Sequence, residues 1–400
     1  YGIFGSGFGL LLASFLVKKM KDFSNFGTIT EYLETRYNSK FLRSASAFLS
    51  MVALIALVGS QVGAAVGIMN ALGMKNTTIA ALFACIVIIA LTSMGGLMAV
   101  TVTDGFQIIL VMVGVVWITV AALGDIGGLS GLNASLTAIQ SELPEGYNVF
   151  MDSEKFKSLL WMILPGLMYI MIGQDIYQRL FACKDHKTAI KASVCSAVLV
   201  CIVSVMPVTL GLIARVKHPE LATAGTSAAA FATIAMSTLP GWAVGIIIAA
   251  ALSAIFSTAD SCLSAAASHF MTDLYLPYIG KNVDTKDRRL VTISRAFTVI
   301  AGLAAVGVSM LLPTILDGCF YAYYIHTSGV FCPIVFGVFW KKATKQGAIA
   351  GLLAGGLFMM YALLTGFSVA GIGGELLSGI VSAIVLVVVS LATQPKKTAA

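Results

Sequence analysis

The sequence predicts an all-α protein that crosses a lipid bilayer about eleven times. Three observations carry this. Apolar residues make up 58% of the 400-residue chain and Asp, Glu, Lys and Arg only 11%, against roughly 25% charged in an ordinary soluble protein; mean hydropathy is +0.94. The apolar residues gather in runs near the roughly 20 residues that span a hydrocarbon core. The basic residues, finally, fall unevenly on the loops between those runs. So few charges could not cover a soluble fold of this size, which excludes soluble enzymes and nucleic-acid-binding proteins, and the net charge of +7 reads as a topology signal.

In chain order the apolar runs lie near 1–17, 44–72, 77–99, 104–124, 158–180, 189–214, 240–268, 290–313, 319–340, 346–365 and 374–393. The first looks clipped, because the chain opens at Tyr1 inside an apolar stretch with no initiator Met. The longest polar stretch, 125–157, is too short for a second fold, so residues 1–400 are expected to form one membrane domain. With eleven spans, the loops at 18–43, 179–191, 281–295, 341–345 and the tail share one side and hold 20 Lys and Arg. The opposite side holds 5: Lys75, Lys155, Lys157, Arg215 and Lys217. The richer side is the cytoplasm by the positive-inside rule. The expectation is a multi-pass protein of the cell membrane with a cytoplasmic C-terminus and residue 1 toward the outside. The seven cysteines sit singly in or beside apolar runs without C-x-x-C spacing and read as small buried hydrophobes.

Acids inside the runs carry the chemistry, because an Asp at the centre of a membrane helix costs about 2.5–3.5 kcal/mol to insert. Asp175 has Arg179 four residues on, spacing that allows a local ion pair. Asp104 and Asp260 have no basic neighbour in their own helices, which makes them the functional candidates. Around Asp260, Ala254, Ser257, Thr258 and Ser261 recur at one-face helical spacing. Hydroxyls plus an exposed main-chain carbonyl suit a hard cation that takes oxygen ligands. A small-residue packing face, its hydroxyls bonded back to their own helix, fits the same pattern, although packing has no use for the carboxylate. Leu164-Pro165-Gly166 in the fifth run, and Ser328-Gly329 with Cys332-Pro333 in the ninth, predict interrupted helices that line a cavity.

Five ordered segments together resemble the sodium/solute symporter family, which includes proline, pantothenate, sialic acid, glucose and choline carriers. They are Glu31-Tyr-Leu-Glu-Thr-Arg36-Tyr37; Gly95-Gly-Leu…Thr103-Asp104-Gly-Phe-Gln107; Gln178-Arg179…Ala182…Lys184; Ser257-Thr-Ala-Asp-Ser261 with Thr272-Asp273-Leu-Tyr275; and Gly329…Pro333…Gly337…Trp340-Lys-Lys342. The resemblance runs essentially end to end. It implies a LeuT-type bundle of two inverted five-helix repeats and uptake of a small organic solute by alternating access, with sodium as the coupling ion. On this mapping the eleven spans are core helices two to twelve and the first core helix is missing. Ala254, Ser257 and Thr258 then match the principal sodium site, while Asp104, Asp260 and Ser261 fall where the sialic acid carriers hold a second sodium. Because one hydroxyl position there is a carboxylate, Asp104 and Asp260 are expected to approach each other and share a cation or a proton.

For the solute the same mapping points to Tyr169, Phe320 and Tyr323. Tyr169 stands where sugar carriers have a Tyr that closes over the substrate, and Phe320 replaces a Gln that binds hydroxyls, which argues against a sugar. The aromatic run Phe320, Tyr321, Tyr323 and Tyr324 suits a quaternary ammonium through cation–π contact, or equally an interfacial tyrosine belt. His326 reads as a packing residue. A proton-coupled carrier of the same fold and a non-transporting membrane sensor or scaffold are the rivals. No G-x-x-x-x-G-K-[ST] motif supports an ATP-driven pump, and the 4 histidines offer no H-E-x-x-H or nucleophile–base set, so no catalytic or cofactor-binding residue is expected. The partners are the solute and the lipid bilayer, with no nucleic acid and no evident obligate protein.

Overall fold

The computed structural model describes residues 2–20, 26–143, 153–222, 227–281, 283–284, 287–312, 314–369 and 372–394, the side chains of 2–3, 94–100, 153–155, 157–158 and 161 excepted. Of the residues read in the sequence, Tyr1, Lys21, Lys286, Lys396 and Lys397 lie outside these, as do the side chains of the Gly95–Val100 motif, Lys155, Lys157 and Trp161.

Helices account for nearly everything described. Among the described residues, eight helical stretches are long and apolar enough to cross a membrane: Lys40–Ala71, Thr101–Asp125, His186–Lys217, Gly241–Tyr278, Arg288–Leu311, Ile315–Phe339, Lys345–Thr365 and Gly374–Ala392. The three remaining predicted runs are helical too: α1 (Phe8–Lys19), the first part of α4 (Thr77–Asp125) and α6 (Ser153–Ile172). All-helical spans are what hydrocarbon demands, since each satisfies its own backbone hydrogen bonds. The outward faces stay apolar, with Ile86, Val120, Ile300 and Leu357 exposed. A two-residue hairpin, β1 (Ser368–Val369) paired antiparallel with β2 (Ile372–Gly373), links α16 (Lys345–Thr365) to α17 (Gly374–Ala392).

Three element boundaries differ from expectation. The predicted spans 77–99 and 104–124 are one continuously wound helix, α4, of 49 residues. Straight, it would measure about 70 Å at 1.5 Å per residue, far beyond a hydrocarbon core of roughly 30 Å. Its contacts show that it bends back instead. Thr92 and Ser93 share a cavity with Ser264 and Met271 of the long helix that begins with α11 (Gly241–His269), whereas Gly114 faces Ala250 and the Trp117 ring lies 5.6 Å from Trp242. The second arm therefore retraces α11 toward its start, and both ends of α4 reach the same end of the bundle. The fifth run is interrupted at Gly173, extended at ψ 128°, between α6 and α7 (Gln174–Phe181); Pro165 is carried inside α6. The ninth run passes through Ser328-Gly329 as a π turn (Thr327–Phe331) between α14 (Ile315–His326) and α15 (Cys332–Phe339). An interruption was expected at Ser328-Gly329 with Cys332-Pro333; the wider winding there absorbs the freed backbone groups without a break.

One apolar core joins α3 (Lys40–Ala71), the first arm of α4, α11, α13 (Arg288–Leu311) and Tyr169 of α6. A second core at the other end joins α1, α2 (Ile29–Tyr37), α7 and α15. The pair α16–α17 packs through small residues: a Cβ at Gly351 would lie 2.8 Å from Leu386 Cβ and 2.9 Å from the Ser382 carbonyl oxygen, whereas Gly356 faces open space. Gly351→Leu is therefore expected to destabilise the protein by about 1–3 kcal/mol, the usual cost of overpacking, and Gly356→Leu to cost far less. Thermal unfolding of both variants in detergent checks this.

Candidate functional site

The hydroxyl face of α11 is built around one carbonyl. Ser257 Oγ donates to the Ala254 oxygen at 3.1 Å and Thr258 Oγ1 donates to the same oxygen at 3.0 Å. Three oxygens thus converge, with Thr258 exposed and the other two residues half-buried. In this arrangement the hydroxyls bond back to their own helix, as the packing alternative expects. The same convergence presents three neutral oxygen donors at an accessible point, which fits a hard monovalent cation. Among the described residues no group of three or more His, Cys, Asp and Glu could hold a metal ion.

One helical turn further along, Asp104, Asp260 and Ser261 come together around Arg179. The Arg179 Nη2 lies 2.5 Å from Asp104 Oδ2 and donates to Ser261 Oγ at 2.5 Å. Ser261 Oγ donates to the Ser257 carbonyl at 2.7 Å, and Gln178 Nε2 donates to the Ser261 carbonyl at 3.1 Å. Asp260 is within hydrogen-bonding reach of Thr92 and feels the charges of both Asp104 and Arg179. Asp104 Oδ1 and Asp260 Oδ1 are buried without a hydrogen-bond partner. The two carboxylates do share a neighbourhood, but a guanidinium reaches into it. The local pairing of Arg179 with the Asp175 side chain takes another form: Arg179 Nη1 donates to the Asp175 backbone oxygen at 3.2 Å, and the Asp175 carboxylate accepts from Tyr169 OH at 2.8 Å. The α7 helix aims the guanidinium across to α4, which sequence spacing could not reveal.

The aromatic candidates divide. Tyr169, 2% exposed, packs against Tyr323 with ring centroids 4.8 Å apart and planes tilted by 35°, and meets His326 edge-on at 5.1 Å. His326 Nε2 is 3.2 Å from Ser50 Oγ. Phe320 lies on the far side of Tyr323, buried with Tyr324 and Met359. An interfacial belt would leave these rings at the lipid boundary; Phe320 and Tyr324 are buried and Tyr321 is the exposed member.

A polar node that sequence reasoning did not single out lies at the opposite end of α3. Asp273, fully buried in the π turn Phe270–Tyr275 that extends α11, accepts from Arg43 Nε at 2.6 Å, Thr28 Oγ1 at 2.9 Å and Thr30 Oγ1 at 2.8 Å, and lies 2.8 Å from His269 Nδ1. Arg43 also reaches Glu34, Glu31 and the Thr272 carbonyl. Arg36 donates to the carbonyls of Gly337, Trp340, Lys341 and Ala343, and Tyr37 OH donates to Pro333 O at 2.9 Å. Burial pushes the Tyr37 phenol well up, so it remains a donor at physiological pH. Glu31, Glu34, Arg36, Tyr37, Asp273, Pro333, Gly337 and Trp340 belong to the first, fourth and fifth motifs, whereas Thr28, Thr30, Arg43 and His269 lie outside them, so the signal was present only in part.

With this geometry in view, comparison with known proteins places the chain. A model of the sodium:solute symporter family matches residues 4–355, and the chain belongs to that family. Similar proteins include the sodium/glucose cotransporter of Vibrio parahaemolyticus, 29% identical over 84% of this chain and 66% of that protein. The sodium/pantothenate symporter of Escherichia coli strain K12 is 25% identical over 93% of this chain and 74% of its own length. The sodium/proline symporter of the same strain is 26% identical, with coverages of 86% and 71%. The chain therefore spans about two thirds to three quarters of these relatives' length. The fold matches a Na⁺-coupled sialic acid symporter in a substrate-bound outward-open state, with a TM-score of 0.76 and 19% identity over 98% of this chain and 85% of that one. It is an all-α, multi-pass membrane protein of the LeuT type, in a family whose named members are transporters driven by sodium.

Removing one partner from a buried ion pair costs about 3–5 kcal/mol. Asp273→Asn should therefore lower the thermal unfolding temperature sharply, while Glu34→Gln, at a 28% exposed side chain, should cost about 1 kcal/mol or less. Equal melting temperatures for the two would contradict this assignment.

Proposed function

We propose that the whole protein is a sodium-coupled symporter that takes up a small organic solute by alternating access, acting as a carrier and not as an enzyme. The observation that carries this reading is the convergence of Ser257 Oγ and Thr258 Oγ1 on the Ala254 oxygen. Three donors on one turn of a membrane helix can take a sodium ion by rotating two hydroxyl hydrogens away. Sodium moving down the membrane potential supplies about 2.3 kcal/mol per 100 mV, enough to drive accumulation of a neutral solute. Tyr169 and Tyr323 form one wall of the solute site in this reading, with Phe320 behind Tyr323 as its support. Asp104, Asp260 and Ser261 form a second cation or proton site, supported by their two unpartnered carboxylate oxygens. The basic-rich loops and the C-terminus face the cytoplasm.

The test is reconstitution of the whole protein into vesicles with labelled proline, choline, pantothenate and short carboxylates, sodium and proton gradients being imposed separately. Uptake driven by sodium is expected; uptake driven by protons alone would overturn the ion assignment, and uptake of no solute would favour a sensor. Ser257→Ala and Thr258→Ala should each raise the sodium concentration for half-maximal uptake by about tenfold, corresponding to roughly 1.4 kcal/mol per lost ligand. Asp104→Asn and Asp260→Asn should each alter the sodium dependence or the pH profile of uptake. If both profiles survive both substitutions, these acids hold no second ion.

A further inference from the structure

The reading of Asp104, Asp260 and Ser261 as a second cation site leaves Arg179 without a role, yet Arg179 stands in the middle of it. Its Nη2 is 2.5 Å from Asp104 Oδ2 and 2.5 Å from Ser261 Oγ. A single cationic nitrogen thus already bridges two of the three side chains that would hold the ion. The charge balance is incomplete: two carboxylates meet one guanidinium, and the buried Oδ1 atoms of Asp104 and Asp260 have no partner. Asp260 is only 4% exposed, so solvent does not satisfy its oxygen. The carboxylates are thus under-neutralised while Arg179 is their counter-charge.

We propose that Arg179 is a tethered competitor for the second cation. Its Nη2 occupies part of the subsite, and an entering cation displaces it from Asp104 and Ser261. The displaced guanidinium has a second acid within its own helix, since Asp175 lies four residues back and its carbonyl already accepts from Nη1 at 3.2 Å. The Asp175 carboxylate is the acceptor for Tyr169 OH at 2.8 Å, and the Tyr169 ring packs against Tyr323 with centroids 4.8 Å apart. A guanidinium turning to Asp175 competes with that hydroxyl. One side chain thereby links ion entry to the aromatic wall of the solute site, and the link runs both ways, as coupling between sites must. This inference rests on the second-cation reading.

Sodium binding to the purified whole protein, measured with radioactive sodium and without any solute, tests it. Arg179→Gln should tighten the second sodium by roughly tenfold, within the usual range of coupling between sites, and adding Asp104→Asn should abolish the gain. Should the Gln variant not fold, Arg179→Lys keeps the charge on a single nitrogen of different reach and should still shift the affinity. Unchanged or weaker sodium binding in a folded Arg179 variant would overturn the competitor role while the second site stood. A wild type that binds one sodium, with Asp104→Asn binding it equally well, would instead remove the second site and this inference with it. In transport assays Tyr169→Phe should reduce the sodium-induced tightening of solute; no change would overturn the link to the aromatic wall.

Discussion

A carboxylate removed from water must be held by donors, and the fully buried Asp273 is the clearest case in this molecule. Its bond to Arg43 joins residues 230 positions apart, and its other partners are Thr28 and Thr30 at the start of α2 and His269 at the end of α11. Without those donors the π turn at the end of α11 would carry an unpaired charge in the interior, a penalty of several kcal/mol. The Arg43 node therefore fixes the end of α11 against α3 and α2. The position of the hydroxyl face around Ala254, about five helical turns from Asp273 along the same helix, follows from that anchoring.

Much of the fold was legible because hydrocarbon leaves a chain so few options. Each of the eleven apolar runs is helical, and the five motifs pointed to a family that comparison bears out. What could not be read were relations between helices. The winding of α4 through 100–103 depends on a bend that apolar counting cannot register, since a hydrophobicity profile sees two spans either way. The break at Gly173, where Pro165 was expected to interrupt, shows that packing decides which of several weak positions yields.

At the site, individual residues were legible and their partners were not. Asp104 and Asp260 stood out because acids are rare in membrane helices, and the structure does bring their neighbourhoods together. Arg179 was assigned to Asp175 because only spacing along one helix is visible in a sequence; the geometry sends its side chain to Asp104, 75 positions away. The arginine of a loop-proximal motif thus joins the cluster around Asp104 and Ser261. Tyr169 and Tyr323, which the sequence named only as separate solute candidates, are in contact, while Phe320 packs against Tyr323 and Tyr324 because successive aromatics on a helix face different neighbours.

The bonds from Ser257 and Thr258 to the Ala254 oxygen also bear on release. A site whose donors are left bare when the ion departs would hold its ion tightly and turn over slowly. Here each hydroxyl has a waiting acceptor in its own helix, and a neutral hydrogen bond of this kind is worth about 0.5–1.5 kcal/mol net. The empty face is therefore at rest, with no unsatisfied group pulling the ion back. On the proposed sodium-site reading, that weakens the hold on the ion and favours unloading on the side where sodium is scarce.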